Sequence, residues 1–495
     1  MSDRLKVVLT TEGTYPYYRG GVSTWADILI KRLDDVKFNV LAIMMHPYIT
    51  INFQLPENVT ELINVPLWGT EEPTEYISGL TFSEIFSRKL KTHDKIIEQV
   101  TEIIRKITLA IYSRNPDLSA TGAQLLQLHD IFLEYDYRTV FRSRHLWEVF
   151  YQTILDFYKD REEKPSIYDV VESLRWIYRF FISLLSPLRQ ADVYHSSAAA
   201  FCGLPCIIAK LKQGSRFLLT EHGVYVREQY LFASRERMPE RTKEFFQGLI
   251  RLVSKLNYFY ADQVSPVCAH NKRWEIKFGT PEQKIKVIHN GIDTEHFRRM
   301  NVERTNKPTA VMVARVDHLK DIETFIQTCS LVRKKIPDVL FKVYGPVVEK
   351  DYFEKCKALV AELSLNRNFV FEGLSYTPEI SYNEGDVVVL TSISEAFPFA
   401  VLEAMACEKV VISSDVGGTR EVLEGNGFII KPRDHKSFAE TIIYVLEHPA
   451  EAAGIGLEAR QRVLSGFRID DMVTHYRETY HEMSTKIPAG TAIPD

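Results

Sequence analysis

The sequence SISEAFPFAVLEAMACEKVVISSDVGG occupies residues 392–418 and holds a loop, a helix, a strand and a glycine turn in close succession. The Phe397-Pro398 pair marks the end of the loop, and a helix is predicted from about Phe399. The β-branched run at 409–415 then predicts a strand, and Gly417-Gly418 allows a tight turn into the next helix. A helix followed at once by a buried strand is the repeating unit of a parallel α/β sheet.

The same alternation extends outward from this stretch in both directions. It begins at TAVMVARVD (309–317) and ends at GFIIKP (427–432), which predicts a doubly wound parallel sheet. A second alternating series lies nearer the N-terminus, with strands predicted at 5–10, 38–44, 191–196, 216–223 and 261–266. A further strand of this series is predicted at 284–293. We therefore expect an α/β protein of two Rossmann-like domains, whose strand ends face each other across a cleft.

The domain boundaries follow from breaks in the alternation. Residues 82–186 have apolar side chains at helical spacing and no strand signal, which predicts a helical insertion in the first domain. The polar stretch at 294–308 has the composition of a linker. The predicted organisation is a first domain at 1–295 with that insertion, a second domain at 296–470, and a C-terminal helix and tail at 471–495.

Composition excludes several classes of protein. The 495 residues are too many for one ordinary domain, and 61 basic against 65 acidic side chains leave a net charge of −4 without long runs of one sign. A nucleic-acid partner is therefore not expected. The six cysteines form no CxxC pair, which argues against zinc and disulfide frameworks. No apolar stretch is long enough to span a bilayer, and the apolar run near the N-terminus is too short for a secretion signal.

Two carboxylates in the 392–418 stretch suggest chemistry. Glu395 is predicted to lie in the loop and Glu403 one turn into the helix. The loop carboxylate could accept hydrogen bonds from sugar hydroxyls, and the helical carboxylate could accept them from a ribose diol. Free backbone N–H groups at the start of the helix, near Phe399, Ala400 and Val401, could face a phosphate.

Several motifs together resemble those of the family 4 retaining glycosyltransferases of the GT-B fold. Glu395 and Glu403 match its E-x7-E signature, and ARVDHLKD (314–321) is similar to its strand-end Arg followed five residues later by Lys. HNGID (289–293) resembles its PNGID with His in place of Pro, and GGVS (20–23) resembles its glycine loop. Ala396 stands where the family usually has Gly. The resemblance covers most of the chain.

The resemblance implies roles for particular residues. Arg315 and Lys320 would neutralise a diphosphate, Glu403 would hold the ribose, and Glu395 with His222 would orient the donor sugar. Gly20 and Gly21 would allow close approach to the diphosphate, and the backbone at Gly373 and Leu374 would hold the base. The implied catalytic set is His222, Glu395, Arg315 and Lys320. The implied nucleotide-sugar set is Gly20, Gly21, Arg315, Lys320, Gly373, Leu374, Glu395, Phe397, Phe399, Ala400, Val401 and Glu403.

The resemblance also implies an activity and partners. The family transfers sugar from a nucleotide diphosphate with retention, so a UDP-hexose or UDP-N-acetylhexosamine donor is expected. More narrowly, EGTYPYYRGGVSTW (12–25) and LTEHGVYVRE (219–228) are similar to the cytosolic glycosyltransferases of bacterial Pel-type exopolysaccharide systems. This similarity implies a growing polysaccharide as acceptor. It further implies a cytoplasmic protein recruited by protein partners to an inner-membrane synthase complex.

A resident metal or other cofactor is not expected. Enzymes that hold a metal against a nucleotide diphosphate commonly present closely spaced aspartates, and the chain contains no DxD. Two alternative functions remain open from the sequence. A glycoside hydrolase could use Glu395 and Glu403 as its carboxylate pair, although Arg315 and Lys320 would then be unexplained. A non-catalytic nucleotide-sugar-binding subunit that regulates a membrane synthase would share most of the same residues, and turnover would distinguish it.

Overall fold

The computed structural model describes residues 4–485, and these form two compact units. The first unit comprises residues 4–266, 273–287 and 476–485, and the second comprises 267–272 and 288–475. The sequence-predicted boundary at 295 thus lies inside a continuous segment of the second unit. The chain enters the second unit twice, and the last described helix begins in the second unit and ends in the first.

The first unit is built on a parallel sheet of six strands. The strands are β1 (Lys6–Glu12), β2 (Lys37–Met44), β3 (Val59–Pro66), β4 (Val193–Ser196), β5 (Arg216–Glu221) and β6 (Gln263–Pro266). Their order is β3-β2-β1-β4-β5-β6, so β1 lies between β2 and β4, with Val8 opposite Asn39 and Tyr194. The middle strands are largely buried because helices cover both faces of such a sheet. The strand predicted at 284–293 is not formed, and this stretch follows a 3-10 turn at Glu282–Lys284.

The helical insertion is present as predicted, since the chain between 82 and 185 forms helices and their connections only. In α4, the buried side chains Val100, Ile103, Ile104 and Ile107 recur at the spacing of one helix face. The helices of the first unit up to this point are α1 (Gly21–Arg32), α2 (Pro73–Ser78), α3 (Phe82–Lys91), α4 (Asp94–Tyr112), α5 (Leu118–Glu134), α6 (Tyr137–Phe141), α7 (Arg144–Phe157) and α8 (Ile167–Phe180), followed by a 3-10 turn at Phe181–Leu185. Helix α2, helices α4 to α8 and the 3-10 turn share one hydrophobic core with the sheet.

The rest of the first unit contains helices that pack against this sheet and insertion. They are α9 (Leu204–Gln213), α10 (Tyr225–Arg235) and α11 (Glu240–Tyr260), and the chain then continues into α12 (Ala269–Lys277), which spans the boundary between the two units.

His195, on β4, forms hydrogen bonds through both of its ring nitrogens. Their partners are Tyr480 Oη at 2.7 Å and Thr220 Oγ1 at 2.8 Å. His195 is therefore a buried structural residue.

The second unit contains a second parallel sheet of six strands. They are β7 (Thr309–Val313), β8 (Leu340–Tyr344), β9 (Phe369–Gly373), β10 (Val387–Leu390), β11 (Val410–Ser414) and β12 (Phe428–Ile430), in the order β12-β11-β10-β7-β8-β9. The first strand of this sheet, β7, lies in its middle. Strands β8 and β9 lie on one side of β7, and β10, β11 and β12 lie on the other. A sheet of this topology has a switch point where two neighbouring strands lead their loops in opposite directions, here between β7 and β10.

The helices of the second unit alternate with its strands as the sequence predicts. They are α13 (Ile322–Lys335), α14 (Lys350–Glu362), α15 (Pro378–Glu384), α16 (Phe399–Ala406), α17 (Thr419–Leu423), α18 (His435–Glu447), α19 (Pro449–Gly466) and α20 (Ile469–Thr485). The predicted tail beyond Thr485 lies outside the described residues. Among the residues that the structure describes, no helix combines the length and apolar character needed to cross a bilayer.

Candidate functional site

The predicted cationic residues of the second unit follow strand β7. Arg315 lies just beyond the strand and Lys320 lies in a short 3-10 turn at His318–Lys320, before α13 begins. Asp317 caps this turn by accepting hydrogen bonds from the N–H groups of Leu319 at 3.0 Å and Lys320 at 3.3 Å. The buried Asp317 carboxylate also pairs with Arg315 at 3.1 Å, while the Arg315 side chain stays 55% exposed. Asp317 thus orients the Arg315 guanidinium, while much of the Arg315 side chain remains accessible to solvent.

The loop after β10 is joined to the loop after β7. The hydroxyl of Thr391 donates to the carbonyl oxygens of Lys320 at 3.0 Å and Asp321 at 2.8 Å. The N–H of Ile393 donates to the Leu319 carbonyl at 2.9 Å. These bonds place the carboxylate of Glu395 against the ammonium of Lys320, and the Ser392 hydroxyl donates to the same Glu395 oxygen at 2.7 Å. Two sequence-predicted residues that are 75 positions apart therefore form an ion pair.

The start of α16 offers fewer free N–H groups than the sequence predicts. No side chain caps this helix, whose N-cap residue is Pro398. The N–H of Val401 donates to the Pro398 carbonyl at 3.2 Å, and the Val401 side chain is buried. Val401 is thus partly engaged within its own turn. Phe399 and Ala400, which are partly exposed, are the better-placed members of the predicted set.

The side chain of Phe397, which is predicted to contact the ligand, is buried in the second unit. Its ring is only 5% exposed and stacks on His289, with ring centroids 5.6 Å apart. His289 in turn contacts Glu421, with Nε2 2.6 Å from Oε1. Burial alone would raise the pKa of Glu421, but the His289 contact and backbone N–H donors lower it. Phe397 therefore supports the loop that carries Glu395 by packing into the core.

Sequence reasoning missed this support. In the sequence, His289 stands out only because it replaces the proline of PNGID. In the structure, it contacts Glu421 and Phe397. The loop is further held by Gly418, whose N–H donates to the Ala396 carbonyl at 2.7 Å. A Cβ on Gly417 would lie 1.8 Å from the Glu395 carbonyl oxygen, so glycine is required there. The glycine pair is thus a structural element of the loop that carries Glu395.

Glu403 lies one turn into α16, as predicted, and is partly buried. The Tyr382 hydroxyl donates to its Oε2 at 2.7 Å. Burial raises the pKa of Glu403, and the Tyr382 bond opposes that shift. Nearby, His296 pairs with the buried Glu379 at 3.2 Å. Tyr382 fixes one carboxylate oxygen and can leave the other to a ligand with two vicinal hydroxyls.

The segment predicted to hold the base ends strand β9. The N–H of Gly345 donates to the Gly373 carbonyl at 2.7 Å, and the next side chain, Leu374, is exposed. Gly345 itself passes close to β7, because a Cβ there would lie 1.9 Å from the Ala314 carbonyl oxygen. The strand ends of β7, β8 and β9 therefore approach one another closely beside Arg315.

The predicted residues of the first unit lie at the carboxyl ends of β1 and β5. Gly20 is the N-cap of α1, and both Gly20 and Gly21 are exposed. His222 follows β5 and packs edge-on against Trp25 of α1, with ring centroids 4.5 Å apart. Its Nε2 is buried without a hydrogen-bond partner among the described residues. Burial lowers the pKa of His222 to about 3, so the imidazole is neutral at physiological pH.

Two carboxyl groups that end strands β1 and β5 were not predicted to be functional. Glu12, the last residue of β1, accepts hydrogen bonds from the Cys202 N–H at 3.0 Å and the Tyr225 hydroxyl at 3.2 Å. Glu221, the last residue of β5, accepts from the Tyr258 hydroxyl at 2.8 Å. Burial raises the pKa of both carboxyl groups, that of Glu12 to about 7. Each is a strand-end acidic residue, which was the available signal in the sequence.

A metal site does not emerge from the residues that the structure describes. No group of three or more His, Cys, Asp and Glu side chains within 4–485 is arranged to hold a metal ion.

The chain has two parallel six-stranded α/β sheets, and a lysine–glutamate ion pair lies at the switch point of the second. This architecture is that of the GT-B glycosyltransferases, which have two Rossmann-like domains. The family model described as "Domain of unknown function (DUF3492)" matches residues 5–283, which is more than half of the chain, and the chain belongs to that family. Residues 293–462 match the model described as "Glycosyl transferases group 1". The resemblance to group 1 glycosyltransferases is thereby confirmed for the second unit.

Individual relatives agree with this assignment. An uncharacterized glycosyltransferase of Methanocaldococcus jannaschii, MJ1607, is 31% identical over 185 residues, which are 34% of this chain and 46% of the relative. The chain spans less than half the length of this relative and of the trehalose synthases of Pyrococcus horikoshii and Thermococcus litoralis.

Solved structures resemble the chain over nearly its whole length. Sucrose-phosphate synthase from Thermosynechococcus elongatus has a TM-score of 0.60 at 17% identity, covering 97% of this chain and 100% of that one. Anabaena Alr3699/HepE in complex with UDP-glucose has a TM-score of 0.58 at 14% identity, with coverage of 97% and 100%. At these identities the likeness establishes the fold.

The buried Glu12 carboxyl predicts a pH dependence of stability. Its pKa is about 7 in the folded protein against 4.5 as the ordinary value, so the folded state retains a proton that the unfolded state releases. The free energy of unfolding should therefore fall as pH rises from about 4.5 to 7, by about 3 kcal/mol for this group. Glu12→Gln cannot ionise and should lose less stability across that interval.

The measurement is the urea midpoint of wild type and variant at several pH values. Glu134→Gln, at an exposed carboxylate of the same unit, is the control and should follow wild type. Equal pH dependence of wild type and Glu12→Gln would show that Glu12 is ionised in the folded protein.

Proposed function

We propose that the protein is a retaining glycosyltransferase that moves a hexose or N-acetylhexosamine from a UDP-sugar to a growing exopolysaccharide. The observation that carries the proposal is the arrangement around Lys320 in the second unit. Lys320 pairs with Glu395, Arg315 lies five residues earlier with its side chain 55% exposed, and both follow the strand at the switch point. A nucleoside diphosphate is the ligand class that matches cations at this position of an α/β sheet.

The choice of UDP rests on two sources of support. The family 4 resemblance implies a nucleotide diphosphate sugar, and the Anabaena protein of the same fold was solved with UDP-glucose. Within this chain, Glu403 would accept hydrogen bonds from the ribose diol through the oxygen that Tyr382 does not fix. The Gly373-Leu374 backbone would hold the base. Because hexose and N-acetylhexosamine donors differ at one substituent, the proposal covers both.

The proposed chemistry needs no nucleophile from the protein. The bond between the sugar C1 and the diphosphate oxygen breaks as a bond from the acceptor hydroxyl oxygen to C1 forms on the same face. The hydroxyl proton passes to the departing diphosphate oxygen. Arg315 can grip phosphate oxygens with two N–H groups, and Lys320 supplies a point charge. These groups would stabilise the negative charge that develops on the leaving diphosphate.

Glu395 has a double role in this proposal. Its pairing with Lys320 fixes the direction of the ammonium. The remaining hydrogen-bonding capacity of Glu395 would then hold a hydroxyl of the donor sugar. His222, neutral because of its lowered pKa, would act as a hydrogen-bond partner to the sugar. A glycoside hydrolase is disfavoured, since a carboxylate pair at Glu395 and Glu403 would leave the cations Arg315 and Lys320 without a role.

The acceptor and partners are proposed from the resemblance to Pel-type enzymes. That similarity supports a polysaccharide acceptor, a cytoplasmic location and recruitment to an inner-membrane synthase complex. Turnover of a UDP-sugar by the purified protein would distinguish this enzyme from a non-catalytic regulatory subunit. Release of free sugar from a glycan without nucleotide would instead indicate a hydrolase.

Glu403→Gln tests the proposed ribose contact. The substitution keeps the shape of the side chain but replaces a charge-assisted hydrogen bond, which is worth roughly 1.5 to 3 kcal/mol. UDP affinity measured by calorimetry should therefore fall by about 10-fold to 150-fold. Glu362→Gln, at an exposed carboxylate of α14 in the same unit, is the matched control and should bind UDP as wild type does. Unchanged affinity in Glu403→Gln would refute the ribose assignment.

Excess EDTA tests the proposal that cations of the protein replace a divalent metal. The chain has no DxD motif, and Arg315 and Lys320 are available to meet the diphosphate. We expect the rate of sugar transfer to be the same with and without EDTA. Loss of activity in EDTA and its recovery on addition of Mn²⁺ would contradict this mechanism.

A further inference from the structure

Helix α3 presents three large apolar side chains to solvent. Phe82 is 83% exposed, Phe86 53% and Leu90 71%, and they recur every four residues along one side of the helix. The rings of Phe82 and Phe86 stack with centroids 6.4 Å apart. The stripe runs for about 12 Å, given the rise of an α-helix. The helix is attached to the rest of the unit by another side, where Ile85 is buried.

The charges of α3 are unequally distributed. Its last turns carry Arg88, Lys89 and Lys91, and its one carboxylate, Glu84, lies in the first turn. Glu84 is occupied in a capping box with Thr81, where it accepts hydrogen bonds from the Thr81 N–H and hydroxyl at 2.7 Å. Lys91 is exposed. Lys89 pairs with Glu72 at 2.7 Å, so Lys91 is the exposed basic side chain that accompanies the apolar stripe.

A second exposed apolar patch shows that this combination is specific to α3. Ile167, Tyr168 and Val171 are exposed near the start of α8. The charged side chains in the first two turns of α8 are acidic, Asp169 and Glu172. The Asp169 carboxylate is buried, and Glu172 pairs with Arg175 at 3.1 Å, so the α8 patch lacks an excess of basic side chains. Of these two patches, the α3 patch is the better match for a negatively charged surface.

We propose that α3 lies in the interface of an anionic lipid bilayer. Phe82, Phe86 and Leu90 enter the boundary between headgroups and acyl chains, while Lys91 meets the lipid phosphates. A short helix with phenylalanine and leucine on one side and basic residues beside them has the composition of such interfacial helices. This proposal goes beyond the proposed sugar transfer and does not depend on it, because binding to vesicles is measured without a donor or an acceptor.

Vesicle co-sedimentation of the full chain tests the proposal. The vesicles are phosphatidylcholine alone, or equal parts of phosphatidylcholine and phosphatidylglycerol. We expect wild type to bind the anionic vesicles, to bind less as salt is raised, and not to bind phosphatidylcholine alone. The variant Phe82→Ser/Phe86→Ser/Leu90→Ser should bind anionic vesicles at least about tenfold more weakly. Lys91→Glu should also weaken binding.

The α8 patch provides the matched control. Ile167→Ser/Tyr168→Ser/Val171→Ser removes comparable exposed apolar surface and should bind as wild type does. Because all six side chains are exposed, each variant should keep the wild-type melting temperature, which is measured alongside. Equal vesicle binding by wild type and the α3 variant would overturn the proposal. So would absence of wild-type binding to anionic vesicles, which would leave a protein partner as the occupant of the stripe.

Discussion

The second unit depends on the connection between the loops that follow β7 and β10. Thr391 donates to the Asp321 carbonyl at 2.8 Å, and Ile393 donates to the Leu319 carbonyl at 2.9 Å. These bonds satisfy backbone groups that would otherwise be unpaired at the strand ends. They also bring Lys320 and Glu395 into an ion pair that is largely shielded from water. An ammonium held in this way is already oriented before any ligand arrives, which is the condition for effective charge stabilisation.

The alternation of strands and helices predicted both sheets and the helical insertion, because it depends on short-range periodicity. The proximity of Lys320 and Glu395 could also be predicted, since residues that follow neighbouring parallel strands meet at one edge of the sheet. The direction of individual side chains could not. Phe397 belongs to the predicted motif, yet its ring points into the core against His289. The spacing of residues in the sequence predicts which helix, strand or loop a residue belongs to, but it does not predict the direction of its side chain.

Other contacts between distant segments could not be predicted from the sequence. His289 and Glu421 are 132 positions apart, and Glu12 and Tyr225 are 213 positions apart. A single sequence contains no signal that pairs such residues. The domain boundary differs for a related reason, since residues 267–272 and 288–295 belong to the second unit through packing that no local pattern reports. The resemblance to known glycosyltransferases supplied motif positions, and the structure supplied the neighbours that support them.

The most direct test of the account asks whether Lys320 binds the diphosphate or only neutralises Glu395. UDP affinity should be measured by calorimetry for wild type, Lys320→Met, Glu395→Gln and the double variant. If Lys320 meets the diphosphate, both proteins that lack it should bind UDP about 10-fold to 150-fold more weakly, whether or not Glu395 is present. If the double variant instead bound UDP as tightly as wild type, Lys320 would serve only to balance Glu395, and the central claim would be contradicted.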